Sequence, residues 1–395
     1  MASDYVFVSE SVTAGHPDKL CDRISDAIVD QFLAQDSLAR VDAECAVASG
    51  ILFIASRFAA TVAPDLVEVA RRVIAASGYG GGEFNARDCT VMTTLREADD
   101  LERASADEAD MSDEELGALL PDQQVTVFGF ACRQSDNLMP LPIHLARRLA
   151  RALDSARENG EMPYLHPDGK VQVAVAYKDG VPAYIHSLAI SPTGEENGVG
   201  ARRLHDDIMD AVVGTAFLKQ PLQPEHRTRI HINPGGALRE GGPSRHAGLT
   251  GRKTAIDTYG EYSRQSGSAL SGKDPLRIDR VGAYAARWAA KNVVGAGLAD
   301  SCEIQLSYGI GQAKPISVQA RGLGTSALDD STLTERVTST FDFRLGGILK
   351  AFGLRRLATG TPGGFFEHLA TYGQIGREDL DLPWETLDRV ELLRG

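Results

Sequence analysis

Val171, Val173, Val175 and Tyr177 alternate with polar or small residues, the turn Lys178-Asp179-Gly180 ends the run, and Tyr184–Ile190 comes back along it. Period-two alternation on both sides of a glycine turn predicts an antiparallel hairpin with one buried face. Such a face needs a cover. Helical spacing supplies one on either side, over His144–Ala156 (Leu145, Leu149, Leu153) and over roughly Arg203–Phe217. The other thirds of the chain repeat the association. Tyr5–Val8 is extended, and a helix follows from about Leu20 with Ile24, Ala27, Ile28 and Phe32 on one face. Cys45–Ile54 reads as a strand or hairpin broken at Gly50, and Leu66–Ile74 as a helix. Val125–Ala131 reads as a strand, and Thr228, Ile230 and Ile232 alternate again. Near the end, Ala283–Val294 is helical, Glu303–Ile310 a strand, and Leu333–Phe341 and Leu345–Phe352 helical or mixed. Strands that need helices on one face imply α+β domains with antiparallel sheets.

A chain of 395 residues has room for two or three such domains. The expected divisions are 1–100, an acidic loop at 101–120, 121–238 and 239–395. Between Glu97 and Glu115 lie ten acidic residues and one base, Arg103, a run that resists burial and reads as a solvated linker or a mobile lid. No repeat is visible at the residue level.

The formal charge of −13 argues against non-specific nucleic-acid binding but leaves room for a local basic pocket. The N-terminal segment lacks the basic start and apolar run of a secretory signal, and no apolar stretch is long enough for a bilayer. The five cysteines are scattered without CxxC or Cys/His zinc spacing, which suits reduced thiols in the cytoplasm.

Three separated loops combine carboxylate with cation. GHPDK (Gly15–Lys19) presents His16, Asp18 and Lys19 just before a helix whose first N–H groups can face an anion. Taken alone it also reads as an aspartate helix N-cap with a turn proline. GGPSRHAGLTGRK (Gly241–Lys253) ends in Arg252 and Lys253 and leads to SGKDP and RIDR, with Lys273, Asp274 and Asp279. Glycines let backbone approach a polyanion, Arg and Lys supply a fork and a point charge, and the aspartates can hold Mg²⁺ or orient the cations. HPDGK (His166–Lys170) places Asp168 and Lys170 at the same parity of a strand. Walker A and Rossmann patterns are absent, so nucleotide phosphate chemistry is expected on a different scaffold.

The blocks SESVTAGHPDK, DRISDAIVDQFLAQD, INPGG followed by GGP, GLTGRK, DTYG, SGKDP, DRVGAYAARWAAKN, AGLADSCEIQLSYGIG, FDFR and YGQIGR resemble the S-adenosylmethionine synthetase (methionine adenosyltransferase) family along essentially the whole chain. The resemblance implies three similar α+β domains around a pseudo-three-fold axis. It implies a homodimer with active sites between subunits, further assembled into a tetramer in many members. The implied reaction is attack of methionine sulfur on C5′ of ATP with loss of triphosphate, which the same site hydrolyses to pyrophosphate and phosphate. The implied ions are two Mg²⁺ per site and K⁺. Carried over by motif, His16 would stabilise the leaving oxygen, and Asp18 and Asp279 would bind Mg²⁺. Lys170, Arg252, Lys253 and Lys273 would hold the triphosphate, with Asp274 beside them. Asp168 would lie near the nucleoside, Leu238 at the adenine-stacking position, and Glu44 at a potassium ligand.

Departures from the family pattern collect on the amino-acid and base side. Arg57 stands where a glutamate contacts the methionine amino group, Gln123 near an acidic position that a one-residue shift would return to Asp122, His246 for an aspartate and Arg277 for a lysine. Leu238 replaces the stacking aromatic, and Ser191-Pro192-Thr193-Gly194 replaces STQH. The first reading is therefore an enzyme making S-adenosylmethionine from ATP and methionine. The alternatives are the same displacement with another nucleophile or nucleotide, a tripolyphosphate or nucleotide hydrolase, or a non-catalytic partner of a synthetase.

Overall fold

A computed structural model describes residues 4–98, 102–194, 199–234 and 238–395. Among these, the strands are β1 (Tyr5–Val12), β2 (Arg40–Ala48), β3 (Ile51–Ala59), β4 (Thr90–Glu97), β5 (Val125–Cys132), β6 (Leu165–Lys178), β7 (Val181–Gly194), β8 (Arg229–Ile232), β9 (Gly248–Leu249), β10 (Ser301–Tyr308) and β11 (Ser317–Arg321). They form three sheets, ordered β1-β6-β7-β8, β4-β3-β2-β9 and β11-β10-β5.

The alternating hairpin is β6–β7, and Asp179 and Gly180 both adopt positive φ in its turn. That is the conformation a tight hairpin requires to match the strand twist. Each sheet carries one long helix on a face: Pro17–Gln35 on β2 and β9, Leu141–Glu158 on β1 and β6, and Ile278–Gly295 on β5 and β10. The same sheet-and-helix construction thus occurs three times, the α+β organisation expected from the strand and helix pattern.

The sheets cross the linear divisions. β1 from the start of the chain completes the central sheet, β9 from the last third pairs with β2, and β5 pairs with β10. From Ile278 to Val294 every helical residue is buried, so this helix is a shared pillar. Its Arg280 makes a two-pronged pair with Asp26 of the first long helix, at 2.8 and 3.0 Å, with both side chains fully enclosed.

Over residues 102–120 the acidic run is held by ion pairs and a short helix; Asp99, Asp100 and Leu101 lie outside the described residues. Arg103 holds Asp36 through two hydrogen bonds of 2.6 Å, and Glu108 is buried against Arg355 at 2.8 Å. Asp113–Ala118 forms a helix with a Ser112/Glu115 capping box, and Leu116 is buried beneath it. Asp107 and Asp113 pair with Arg356 and Arg344. Bases from the end of the chain therefore neutralise a run that looks unburiable in isolation.

Candidate active site

His16 sits at the cap of the helix Pro17–Gln35, with its Nδ1 accepting the Asp18 N–H at 3.2 Å. Pro17 occupies the first helical position, where its missing N–H costs nothing. The proline is where the turn reading put it, but the cap is His16 and not the expected aspartate, because Asp18 already lies within the first helical turn. Close approach makes the loop possible. A Cβ on Gly15 would strike Pro167, and one on Gly248 would strike the Pro17 backbone. With Gly248 pressed there, Leu249 N–H donates to Asp18 Oδ1 at 3.0 Å and holds that carboxylate.

Asp168 and Lys170 leave β6 into a cavity of about 380 Å³ shared with Thr193, Arg239, Arg245 and His246. Asp168 is buried. Its Oδ2 accepts from His246 Nε2 and from Gly242 N–H, both at 2.8 Å, while Oδ1 has no partner. Burial alone would raise its pKa, but the His246 bond, His16 and the Gly242 N–H together hold the carboxyl below its ordinary range. The His16 ring lies 5.0 Å from that of His246. Burial pushes His16 down to about 3 even though Asp168 opposes this, and nearby His246, Lys170 and Lys253 add to the fall. At neutral pH the imidazole is thus uncharged. Since Nδ1 accepts, its proton is on Nε2, which makes the ring a neutral donor. Arg252 is exposed, 3.8 Å from Asp18 Oδ1, and Lys253 reaches Glu10 at 3.4 Å.

Of the other predicted residues, Glu44, Arg57, Gln123, Lys273 and Arg277 line a second cavity of about 520 Å³, together with Asp42. It shares no lining residue with the first. Sheet register explains the grouping. Asp42, Arg57 and Arg96 form one row across β2, β3 and β4, and Glu44, Ala55 and Thr94 form the next. Arg277 is buried and pairs with Asp42 at 3.0 Å and Asp122 at 3.4 Å. Asp122, rather than Gln123, is the residue that engages the arginines, Arg40 included at 3.1 Å. Lys273 Nζ contacts Asp279 Oδ2, and Asp279 Oδ1 has no hydrogen-bond partner.

Three candidates lie elsewhere. Leu238 is buried in the apolar core of the central unit and does not line the cavity, whereas Arg239 does. Asp274 is fully buried and spends both oxygens on Arg40 Nε and backbone N–H groups, so it orients an arginine instead of meeting solvent. Lys19, part of GHPDK, is enclosed between Asp22 and Asp257. Motif reading missed Asp42, whose carboxyl burial raises to about 6 despite Arg277. Its only signal was a charge inside an otherwise apolar strand.

Buried carboxylate oxygens without partners, on Asp279 and Asp42, are lone pairs that a hard cation can use. Asp18, with one oxygen held by Leu249, leaves the other toward the His16 loop. The residues present therefore fit bound divalent metal.

Metal-fitting carboxylates, several ammonium and guanidinium groups and a neutral imidazole suit a metal-dependent enzyme acting on a small polyanion. Residues 4–99, 118–238 and 240–386 match the N-terminal, central and C-terminal domain models of S-adenosylmethionine synthetase. The chain is 44% identical to the S-adenosylmethionine synthase of Synechococcus elongatus, over all of this chain and 98% of the relative. It is also 44% identical to that of Trichodesmium erythraeum, over 100% and 97%, and 43% identical to that of Crocosphaera subtropica, over 100% and 98%. The chain belongs to the S-adenosylmethionine synthetase family.

Proposed function

We infer that this protein is an ATP-dependent methionine adenosyltransferase. Methionine sulfur forms a bond to C5′ of ATP, the C5′–O bond breaks, and triphosphate leaves and is hydrolysed to pyrophosphate and phosphate. The thioether has no proton to lose, so no base is needed. The demand is on the leaving side, where negative charge grows on the bridging oxygen. His16, neutral and protonated on Nε2, is suited to donate to that oxygen without first losing a charge. Lys170, Lys253, Arg252 and Lys273 hold the phosphates. Asp18 and Asp279 would hold Mg²⁺, which supplies charge neutralisation to the triphosphate, and Glu44 would face K⁺. The observation that carries this reading is the full-length likeness to synthases in a chain that keeps this whole cation-and-carboxylate set.

Methionine is favoured over another nucleophile by the second cavity. Asp42 and Arg277 both line it, so an amino acid would find partners for both its ammonium and its carboxylate. Comparison with known proteins lends no support to the hydrolase or altered-nucleophile alternatives, and a non-catalytic subunit would have no use for the phosphate-side charges.

A homodimer, assembled further into a tetramer as the resemblance implies, accounts for the two separate cavities, with each active site completed between subunits. The sheet face bearing Asp42 and Arg57 continues into a row of Leu249, Ala46, Phe53 and Met92, of which Leu249, Phe53 and Met92 are exposed in a single chain. An apolar row of this kind next to a half-site calls for a second copy. No helix among the described residues is long and apolar enough to cross a membrane, and we place the enzyme in the cytoplasm. The test is to incubate purified protein with ATP, Mg²⁺ and K⁺, with and without methionine, and follow products by mass and phosphate release. Methionine-dependent S-adenosylmethionine is expected. Phosphate release that ignores methionine, with no adenosylated product, would overturn the assignment.

A further inference from the structure

One set of three side chains among the described residues can converge on a metal through one ligand atom each: His16, Asp168 and His246, with those atoms all within 4.8 Å of one another. They come from three distant stretches, so no sequence spacing announces them. Two are buried and His246 is half-buried at the cavity wall, which leaves a route for an ion.

We propose that these residues form a binding site for a borderline transition-metal ion of the Zn²⁺ or Co²⁺ type, separate from the Mg²⁺ ligands Asp18 and Asp279. Two imidazole nitrogens and one carboxylate oxygen favour such ions over Mg²⁺, which prefers an all-oxygen shell. An aspartate at position 246, as in the family pattern, would keep the pocket mostly oxygen; His246 changes its metal preference.

Ligand atoms on a tetrahedral zinc lie about 3.4 Å apart, given bonds near 2.1 Å. The present spacings therefore need adjustments of about an ångström. Asp168 Oδ1, buried and without a hydrogen-bond partner, is a lone pair already in place. Coordination through Nε2 would move the ring proton to Nδ1, giving up the cap bond that Nδ1 accepts from the Asp18 N–H in exchange for one toward Asp18 Oδ2, 3.8 Å away. The cavity beyond supplies water for the remaining coordination position. Because the ion would occupy His16 and Asp168, it would compete with the nucleotide. This consequence rests on the proposed function, whereas binding itself does not.

The test titrates chelator-treated full-length protein with Co²⁺, monitored by visible absorption, and with Zn²⁺ by calorimetry. One equivalent per chain is expected, with ligand-field bands but no thiolate charge-transfer band. His246→Ala and His246→Asp should each weaken Co²⁺ binding at least about tenfold, while circular dichroism reports their folding. Excess MgATP should displace the Co²⁺ spectrum. Thiolate-type absorption, no saturable binding to the parent, or equal affinity in a folded His246 variant would overturn the site. Loss of S-adenosylmethionine formation in Mg²⁺ buffer freed of other metals would instead count against the functional assignment and leave the Co²⁺ result standing.

Discussion

Replacing Lys273 by methionine keeps the length of the side chain and removes one charge. In the parent, Nζ touches Asp279 Oδ2, the lysine side chain is 15% exposed, and Asp279 is buried. At that depth an effective dielectric near 20 applies, and a unit charge about 4 Å from a phosphate oxygen interacts by about 4 kcal/mol. Only the part that grows as the C5′–O bond breaks affects the rate. Removal of a single preorganised donor in comparable sites costs about 3 kcal/mol, so kcat should fall by about 10²–10³. A structural loss comes with it. Asp279 would be left buried without its cation, and breaking a buried pair costs about 3–5 kcal/mol, lessened here by the partial exposure of Lys273. The two effects can be separated by adding Asp279→Asn, which removes the stranded charge. The double variant should recover much of the stability by urea unfolding and none of the rate. The assay is single-turnover formation of S-adenosylmethionine at saturating ATP and methionine, with tripolyphosphate hydrolysis followed separately. Folded Lys273→Met turning over within threefold of the parent would refute the assignment of Lys273 to the leaving triphosphate.

Three further outcomes are expected. Burial lowers the pKa of His144 to about 4, with its Nε2 bonded to Gln220 at 3.0 Å. The unfolded chain, with a histidine pKa near 6.5, therefore takes up the proton first on acidification. This group's share of stability is complete above pH 6.5 and is lost as pH falls toward 4. At pH 5 the loss is about 2 kcal/mol, so the fall in unfolding free energy between pH 7.5 and 5 should shrink by that amount in His144→Gln; an unchanged pH dependence contradicts it. Gly272 has φ +80°, and a Cβ there would strike Ala43 O, whereas Gly267 has open space. Gly272→Ala should lower the melting temperature by several degrees, corresponding to more than about 1 kcal/mol, and Gly267→Ala should not; equal effects would disprove the close approach behind Lys273. Arg57→Glu should lower the KM for methionine a few-fold, since a sheltered carboxylate–ammonium contact contributes about 1 kcal/mol or more; an unchanged KM would put Arg57 outside the methionine pocket.

Local rules made the elements legible. The Lys178-Asp179-Gly180 turn, the leucines of His144–Ala156 and the break at Gly50 all state a conformation that neighbouring residues suffice to dictate. The observed helix begins at Pro17 and not near Leu20 because His16 caps it. β4 escaped notice because it pairs in parallel with β3 and is mostly exposed, so it shows no burial alternation. What adjacent residues cannot state is pairing at long range. β1 joins β6, β9 joins β2, and the acids after Glu97 find Arg344, Arg355 and Arg356 more than two hundred residues away. The candidate site shows the same limit. Motifs named His16, Asp168, Lys170 and Lys273, but not their division into two cavities. Leu238 and Asp274 were named by their neighbours in the chain, while their own burial sends one to a core and the other to Arg40.

Everything in the functional account depends on where the triphosphate lies. A structure of the protein with a non-hydrolysable ATP analogue and Mg²⁺ should show the phosphates in contact with Lys170 and Lys273, whichever protomer supplies each, and a metal ion on Asp18 or Asp279. Phosphates bound away from all four residues would contradict the account, with the fold unchanged.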